Sequence, residues 1–387
     1  MKERVLVLTS GTGSGHDMRA RAFAQWVRQL HGDAVEVRIE QIIENGSLLG
    51  RFGVWVYNTI QQHAPFLHNI YFFIVELFVL AHSQSVSFGG RYYRKLLREY
   101  LPKVILSVHD STNRGYFEDA RRVLGDRVRC VTYCGEFSGG FGYSRNWINP
   151  TTDHFIARTP PAAEFAVKLG ISPDRLSVFQ KFLPPGCFRS RITDSGKADY
   201  LRQLGLQPGV FTLFLSTGGY GANHHLTFLK ELLPLAGKIQ VIVICGRNRE
   251  VFRKVNQWAA RNPGLSLHVE GYSDRVADYM QISDAILTRG GANTTMEALH
   301  YGCPILYNSL GGLMPQEQCT VRYFIDNGAA VLIRSAGGLA NTLRQWHDFS
   351  APYRSVRAAL EALQVDEDPA DLVRTILGPG NPSGDRH

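Results

Sequence analysis

Short runs of aliphatic and β-branched residues recur along the chain with room for a helix between them. They begin as VLVLTS at Val5, VEVRIE at Val35, VILSVH at Val104, VRCVTYC at Val128 and HFIAR at His154. Strands covered on both faces read as such near-continuous apolar runs, so the alternation predicts a parallel sheet flanked by helices. The pattern breaks at KFLPPGCF, residues 181–188, where two prolines and a glycine predict a loop or linker. A second set follows: VFTLFLST from Val210, QVIVIC from Gln240, LSLHVEGY from Leu265, AILTR from Ala285, PILYN from Pro304 and AAVLI from Ala329. The expected fold is α/β, two Rossmann-like doubly wound domains facing a cleft, with an N-terminal domain over 1–184 and a C-terminal one over 185–350. Residues 351–387 are expected to form C-terminal helices returning toward the N-terminal domain, with a frayed tail after Leu377. Ligands of such domains bind outside the carboxyl ends of the strands, which is where the chemistry is sought.

Composition narrows the class. At 387 residues, 44% hydrophobic and 20% charged, the chain can bury two cores, and disorder is not expected. The lead-in Met1 to Arg4 and the run behind it are too short and poorly flanked for a signal peptide, so export is not expected. Six cysteines without a C-x-x-C pair fit buried thiols in a reducing cytosol. Cys130 and Cys134, the only close pair, read as core rather than metal ligands, and no metal site is expected. A net charge of +8 favours an anionic partner, and scattered basic residues without a reader motif point away from nucleic acid. The longest apolar stretch, IYFFIVELFVLA from Ile70 to Ala81, is interrupted by Glu76 and falls short of the roughly 20 residues a membrane span needs.

The first strand runs into SGTGSGHDMR. After Gly11 and Gly13, a dinucleotide fingerprint wants glycine where His16 stands, Gly15 arriving one place early, and no Gly-Lys-Ser/Thr follows for a P-loop. Glu40, ending the second strand, keeps a ribose-binding acid of a nicotinamide enzyme in play. The glycines allow close backbone approach to a ligand. His16 stands where the helix begins, and the positive end of the helix dipole there disfavours imidazolium. His16 is either a neutral base or the cap of its turn.

The stretch TRGGANTTMEALHYGCPILYNSLGGLMPQEQCTVRYFIDNGAA, Thr288 to Ala330, carries Gly-Gly, Thr, Glu three residues later, Gly-x-Pro, a Gln-Glu pair and a downstream NGA. It resembles the donor-binding region of GT-B glycosyltransferases of the family 28 type, the group of monogalactosyldiacylglycerol synthases, processive diacylglycerol glucosyltransferases and the lipid II N-acetylglucosaminyltransferase. LFLSTGGYGANHH, VIVICGRNREV, VEGYSDRVADYMQISDAILTRGG and SGTGSGHDMRARAFA support the resemblance, which is weakest over about 46–100. It implies a metal-independent, inverting hexosyl transfer from a UDP-sugar, with no cofactor, to a diacylglycerol-type lipid, by a protein peripheral on the cytoplasmic face of a membrane. Gly290 and Gly291, with the helix opening at Asn293 and Thr294, would hold the diphosphate at a helix N-terminus. Glu297 would accept from the ribose hydroxyls, or it closes a capping box on Thr294. Gln316 and Glu317 would bind the sugar. Gly218, Gly219, Tyr220 and Arg247 would meet the diphosphate, and Gly271, Tyr272 and Ser273 the uracil edge, against the plain reading of strand-to-helix turns. His16 would be the base, with Gly13, Gly15, Pro65, His109, Asp110 and Trp147 on the acceptor side. Asp110 is one possible orienting carboxylate for His16.

Residues 45–98 are rich in aromatics, among them Phe52, Trp55, Tyr57, Phe73, Tyr92 and Tyr93, and end in RYYRKLLR. Aromatics beside clustered cations suit a segment lying in an anionic membrane surface; the alternative is a helix pair packed on the sheet. The lipid-modifying members usually carry His where this chain has Ser144 ahead of Trp147 and Asp153, so the acceptor chemistry could differ. Competing readings are a soluble or undecaprenyl-linked acceptor, a UDP-sugar epimerase and a non-catalytic nucleotide-binding module.

Overall fold

The computed structural model describes residues 2–12, 15–63, 70, 72–74, 76–77, 86, 89–188, 191–216 and 224–379. Each apolar run of the first set becomes a strand: β1 (Glu3–Thr9), β2 (Val35–Gln41), β3 (Val104–Ser107), β4 (Arg129–Tyr133) and β5 (His154–Ala157). The sequence pattern missed β6 (Leu176–Val178), a three-residue edge strand without a fully buried position, too short to show a period. The second set gives β7 (Phe211–Ser216), β8 (Ile239–Ile244), β9 (Leu267–Glu270), β10 (Ala285–Thr288), β11 (Ile305–Asn308) and β12 (Ala330–Ile333).

The strands form two parallel sheets, ordered β2-β1-β3-β4-β5-β6 and β12-β11-β10-β7-β8-β9. In the first, Val5 to Leu8 are wholly buried and Val7 sits between Ile39 and Leu106. Helix α1 (Gly15–His31) lays Ala20, Phe23 and Val27 inward, the i, i+3, i+7 stripe of an amphipathic helix. The core of the second sheet is built on Leu213, Leu215, Val241, Val243 and Leu287. The chain divides into one compact unit of Met1–Gly186, Met314–Cys319 and Val365–His387, and another of Cys187–Leu313 and Thr320–Gln364.

Within the first unit, the proline-rich segment is packed rather than loose: Phe182 and Leu183 are buried and Trp26 Nε1 donates to the Leu183 carbonyl at 2.8 Å. The Glu367 carboxylate accepts from the Gln180 and Lys181 amides, and Arg129 donates to the carbonyls of Thr375 and Ile376. These bonds tie the helix Pro369–Leu377 into this unit. The expectation of fraying falls on a tail whose last eight residues lie outside the described ones.

The aromatic segment splits in two. Helix α2 (Ile42–Gly46) leads into α3 (Leu48–His63), which leaves Leu48, Leu49, Phe52 and Trp55 more than half exposed, with Phe52 and Trp55 stacked 5.7 Å apart. The helix Gly90–Tyr100, by contrast, buries Tyr93, Leu96, Leu97 and Tyr100 in the core, so the apolar side of RYYRKLLR is sheet packing. Its register puts Arg91 and Lys95 outward while Tyr92 Oη donates to Glu40. Glu40 is itself buried and also accepts from Arg38 and Asn45, so it is committed inside the fold rather than presented to a ribose. Cys130 and Cys134 are buried thiols, and burial pushes Cys130 up to about 12.

Candidate active site

The order of the first sheet reverses between β1 and β3, and the crevice at the carboxyl ends of such a strand pair is the usual ligand site. The chain leaves β1 at Thr9, turns, and enters α1 at Gly15, which makes His16 the second helical residue. Leu8 pairs with Ser107, so the chain leaving β3 brings His109 to the same place. The two imidazoles lie 4.2 Å apart between centroids, at 48°.

At Gly11 the loop offers no free amide to an anion. Gly11 N–H is taken by the Glu44 carboxylate of α2, which also accepts from Ser10 Oγ, and a Cβ on Gly11 would press on that carboxylate. A phosphate there would meet a resident negative charge.

His16 Nδ1 lies 2.9 Å from the Val108 carbonyl and 2.6 Å from Arg19 Nη2. A carbonyl only accepts, so the first contact needs a proton on Nδ1 and leaves the lone pair on Nε2; the second needs a bare Nδ1. Burial, followed by the fields of His109 and Arg19, holds His16 well below the usual imidazole range, against the Val108 bond and Asp110. The ring is neutral at pH 7. His109 is buried; its Nδ1 lies 3.1 Å from the Ser111 amide nitrogen and its Nε2 lies 2.7 Å from Thr12 Oγ1. Asp110 Oδ1 lies 3.0 Å from His109 Nδ1, so Asp110 serves His109 rather than His16. Burial alone would raise the Asp110 carboxyl, but hydrogen bonds from His109 and Ser144 and the fields of both histidines hold it well below the carboxylate range.

Trp147 is buried, with its ring centroid 6.4 Å from that of His16, and its Nε1 donates to Glu136 Oε1 at 3.2 Å. Glu136, two residues past the loop cysteine Cys134, is pushed up to about 7 by burial first and by Asp110, against Trp147, Arg19 and Arg158. Glu76, the acid inside the apolar run, accepts the Arg145 amide at 2.7 Å. Gly13 and Pro65 lie outside the described residues.

The second sheet reverses between β7 and β10. Gly290 and Gly291 follow β10, and Gly291 is the N-cap of the helix Ala292–Tyr301, with Asn293 and Thr294 in its first turn. That start rules out a capping box on Thr294, which sits inside the helix, so Glu297 is not a capping residue. Glu297 is buried, and burial pushes its carboxyl up to about 7. Gly218, Gly219 and Tyr220, after β7, lie outside the described residues. Arg247, after β8, places its guanidinium 4.8 Å over the ring of Tyr272, after β9, and Tyr272 is 62% exposed. Gly271 lies against the Gly246 carbonyl, and Ser273 Oγ accepts the Arg275 amide.

Gln316 and Glu317 belong to the first unit. Gln316 Nε2 donates to Tyr57 Oη at 2.6 Å. Glu317 is buried, and its carboxylate accepts the Met314 amide at 2.9 Å.

Residues 213–336 match the glycosyltransferase family 28 C-terminal domain. Over that stretch the chain carries the family 28 donor-domain signature, and along most of its length it is similar to glycolipid synthases. The probable monogalactosyldiacylglycerol synthase 3 of rice (Oryza sativa subsp. japonica) is 26% identical over 97% of this chain and 74% of its own length. The processive diacylglycerol beta-glucosyltransferase of Bacillus subtilis (strain 168) is 22% identical over 86% of this chain and 83% of its own. The structure of Anabaena HepE, solved in complex with UDP, shares the fold with a TM-score of 0.52, covering 94% of each chain at 13% identity. The two-sheet architecture is GT-B.

Sequence reasoning overlooked Arg19 and Glu136. Arg19 lies three residues after His16, a helical neighbour by spacing, and Glu136 lies in the loop leaving β4, at a carboxyl strand end. Both signals were legible.

Proposed function

We propose that this family 28 enzyme transfers a hexose, with inversion, from a UDP-sugar to a diacylglycerol-type acceptor at a membrane surface. The observation that carries the chemistry is His16: neutral, at a sheet's reversal point, with a carbonyl on Nδ1 that frees Nε2. In that form Nε2 takes the proton of the acceptor hydroxyl as its oxygen bonds to the anomeric carbon. The bond from that carbon to the diphosphate breaks, and its electron pair leaves with UDP. The N-terminus of the helix Ala292–Tyr301 and the Arg247 side chain would receive the developing charge without a cofactor. Glu297 would serve the ribose.

Two relatives support the acceptor. One is named for a galactosyl and the other for a glucosyl product, yet both are named for diacylglycerol. HepE, solved with UDP, supports the nucleotide. The exposed apolar stripe of α3 supports action at a membrane surface. Ser144, hydrogen-bonded to Asp110 within the His16 cluster, favours one variation: an acceptor differing from diacylglycerol near the reacting hydroxyl.

The test incubates purified protein with each labelled UDP-sugar and mixed lipid vesicles. Label should enter the lipid phase, and His16→Ala should lower turnover by roughly 10²–10⁴-fold while UDP still binds. Label that never leaves the aqueous phase overturns the lipid acceptor. An unchanged His16→Ala rate overturns the base.

A further inference from the structure

Beside His16 lies a group that the reaction as described does not use. Arg19 is 3% exposed, yet only Nη2 has a partner, His16 Nδ1; Nε and Nη1 have no hydrogen-bond partner among the described residues. Leaving buried donors unmade is costly, and a buried cation more so. The side chain is wedged in place, because a Cβ on Gly135 would come within 2.1 Å of Nη1. Its surroundings supply little compensating charge. Arg158, 1% exposed, lies over the rings of Phe137 and Tyr133, and Glu136, next to Gly135, is pushed up to about 7.

We propose that Arg19 is a positioning residue for His16: it competes with the Val108 carbonyl for Nδ1 and so governs whether Nε2 is free to take a proton. This rests on the reading of His16 as the base. A carboxylate at Nδ1 would stabilise the imidazolium, whereas a guanidinium 2.6 Å away does the reverse. It keeps the resting ring neutral and makes the protonated ring a strong acid that gives its proton up after each transfer. The charged and titratable groups that act on His16 are Arg19 from α1 and His109 and Asp110 after β3. Behind Arg19 stand Glu136 and Arg158. Removing Arg19 removes the only permanent cation in direct contact with the ring among the described residues.

The experiment compares wild type, Arg19→Met, Arg19→Lys and Gly135→Ala. It reads the acid limb of kcat/KM against pH and the NMR titration of the His16 ring, assigned by its loss in His16→Ala. In Arg19→Met both should move up, toward the ordinary imidazole value of ~6.5, with donor binding unchanged. Arg19→Lys should stay near wild type. Gly135→Ala, which displaces the guanidinium without deleting it, should move in the direction of Arg19→Met and covers the case in which Arg19→Met does not fold. An acid limb and a ring titration that stay where they are in wild type, in a folded Arg19→Met or Gly135→Ala, overturn the proposal. If His16→Ala keeps full turnover the base reading fails, but the NMR titration still reports on Arg19, so the two failures are distinguishable.

Discussion

At the scale of the residue, environment decides what each ionisable group is. Glu136 and Glu297 are carboxylic acids pushed up to about 7, both by burial first. A raised folded-state pKa means that folding favours the protonated form, so its stability contribution is full below the unfolded carboxyl value of ~4.3 and is lost as pH rises toward 7. Glu297→Gln should therefore gain thermal stability over wild type at pH 8 and little or none at pH 4.5, which melting curves at both pH values check. His16 runs the other way. Its lowered folded-state pKa means that the unfolded chain binds the proton first, so its contribution is lost as pH falls below ~6.5. Stability of the wild type between pH 8 and 5.5 mixes these opposite slopes, and single variants separate them.

At the scale of the element, two aromatic-bearing helices present their apolar side chains to different surroundings. In α3 the apolar positions Leu49, Phe52 and Trp55 face outward, whereas in Gly90–Tyr100 the positions Tyr93, Leu96 and Leu97 face the sheet. Replacing Leu49, Phe52 and Trp55 together by Ser should leave the melting temperature near wild type and abolish co-sedimentation with vesicles containing anionic lipid. Tyr93→Ala should leave vesicle binding alone and cost about 3 kcal/mol or more in denaturant unfolding, as large core truncations do. The shared run of aromatics over 45–98 joined the two helices in one segment. Their registers, 3.6-residue stripes placed against different neighbours, separate them.

At the scale of the whole molecule, two parallel sheets each reverse strand order once, and at each reversal a chemically loaded loop meets a helix start. His16 stands at one, and Gly290 and Gly291 at the other. UDP should raise the stability of the chain by about 2.7 kcal/mol at a hundred times its Kd, in thermal-shift titrations, with the same gain in His16→Ala. Loss of the gain in Gly291→Asp, which places a carboxylate at the helix N-cap against the diphosphate, is the matching control. If UDP gives no shift, the assignment of the donor site to this helix start fails.

The amino-acid sequence by itself determined eleven of the twelve strands among the described residues, because inner strands read as apolar runs and the edge strand β2 as apolar–polar alternation, both legible without context. It also determined the two glycine-marked helix starts and, through the Thr288–Ala330 pattern, the resemblance to the family 28 C-terminal domain that residues 213–336 match. What it could not rank were contacts between residues far apart in the chain. Whether Glu40 met a ribose or Tyr92, whether Asp110 oriented His16 or His109, and whether Glu297 capped its helix were settled only when the chain folded. A side chain's protonation and partners depend on burial and on charges brought within a few ångströms, and those are properties of the tertiary structure.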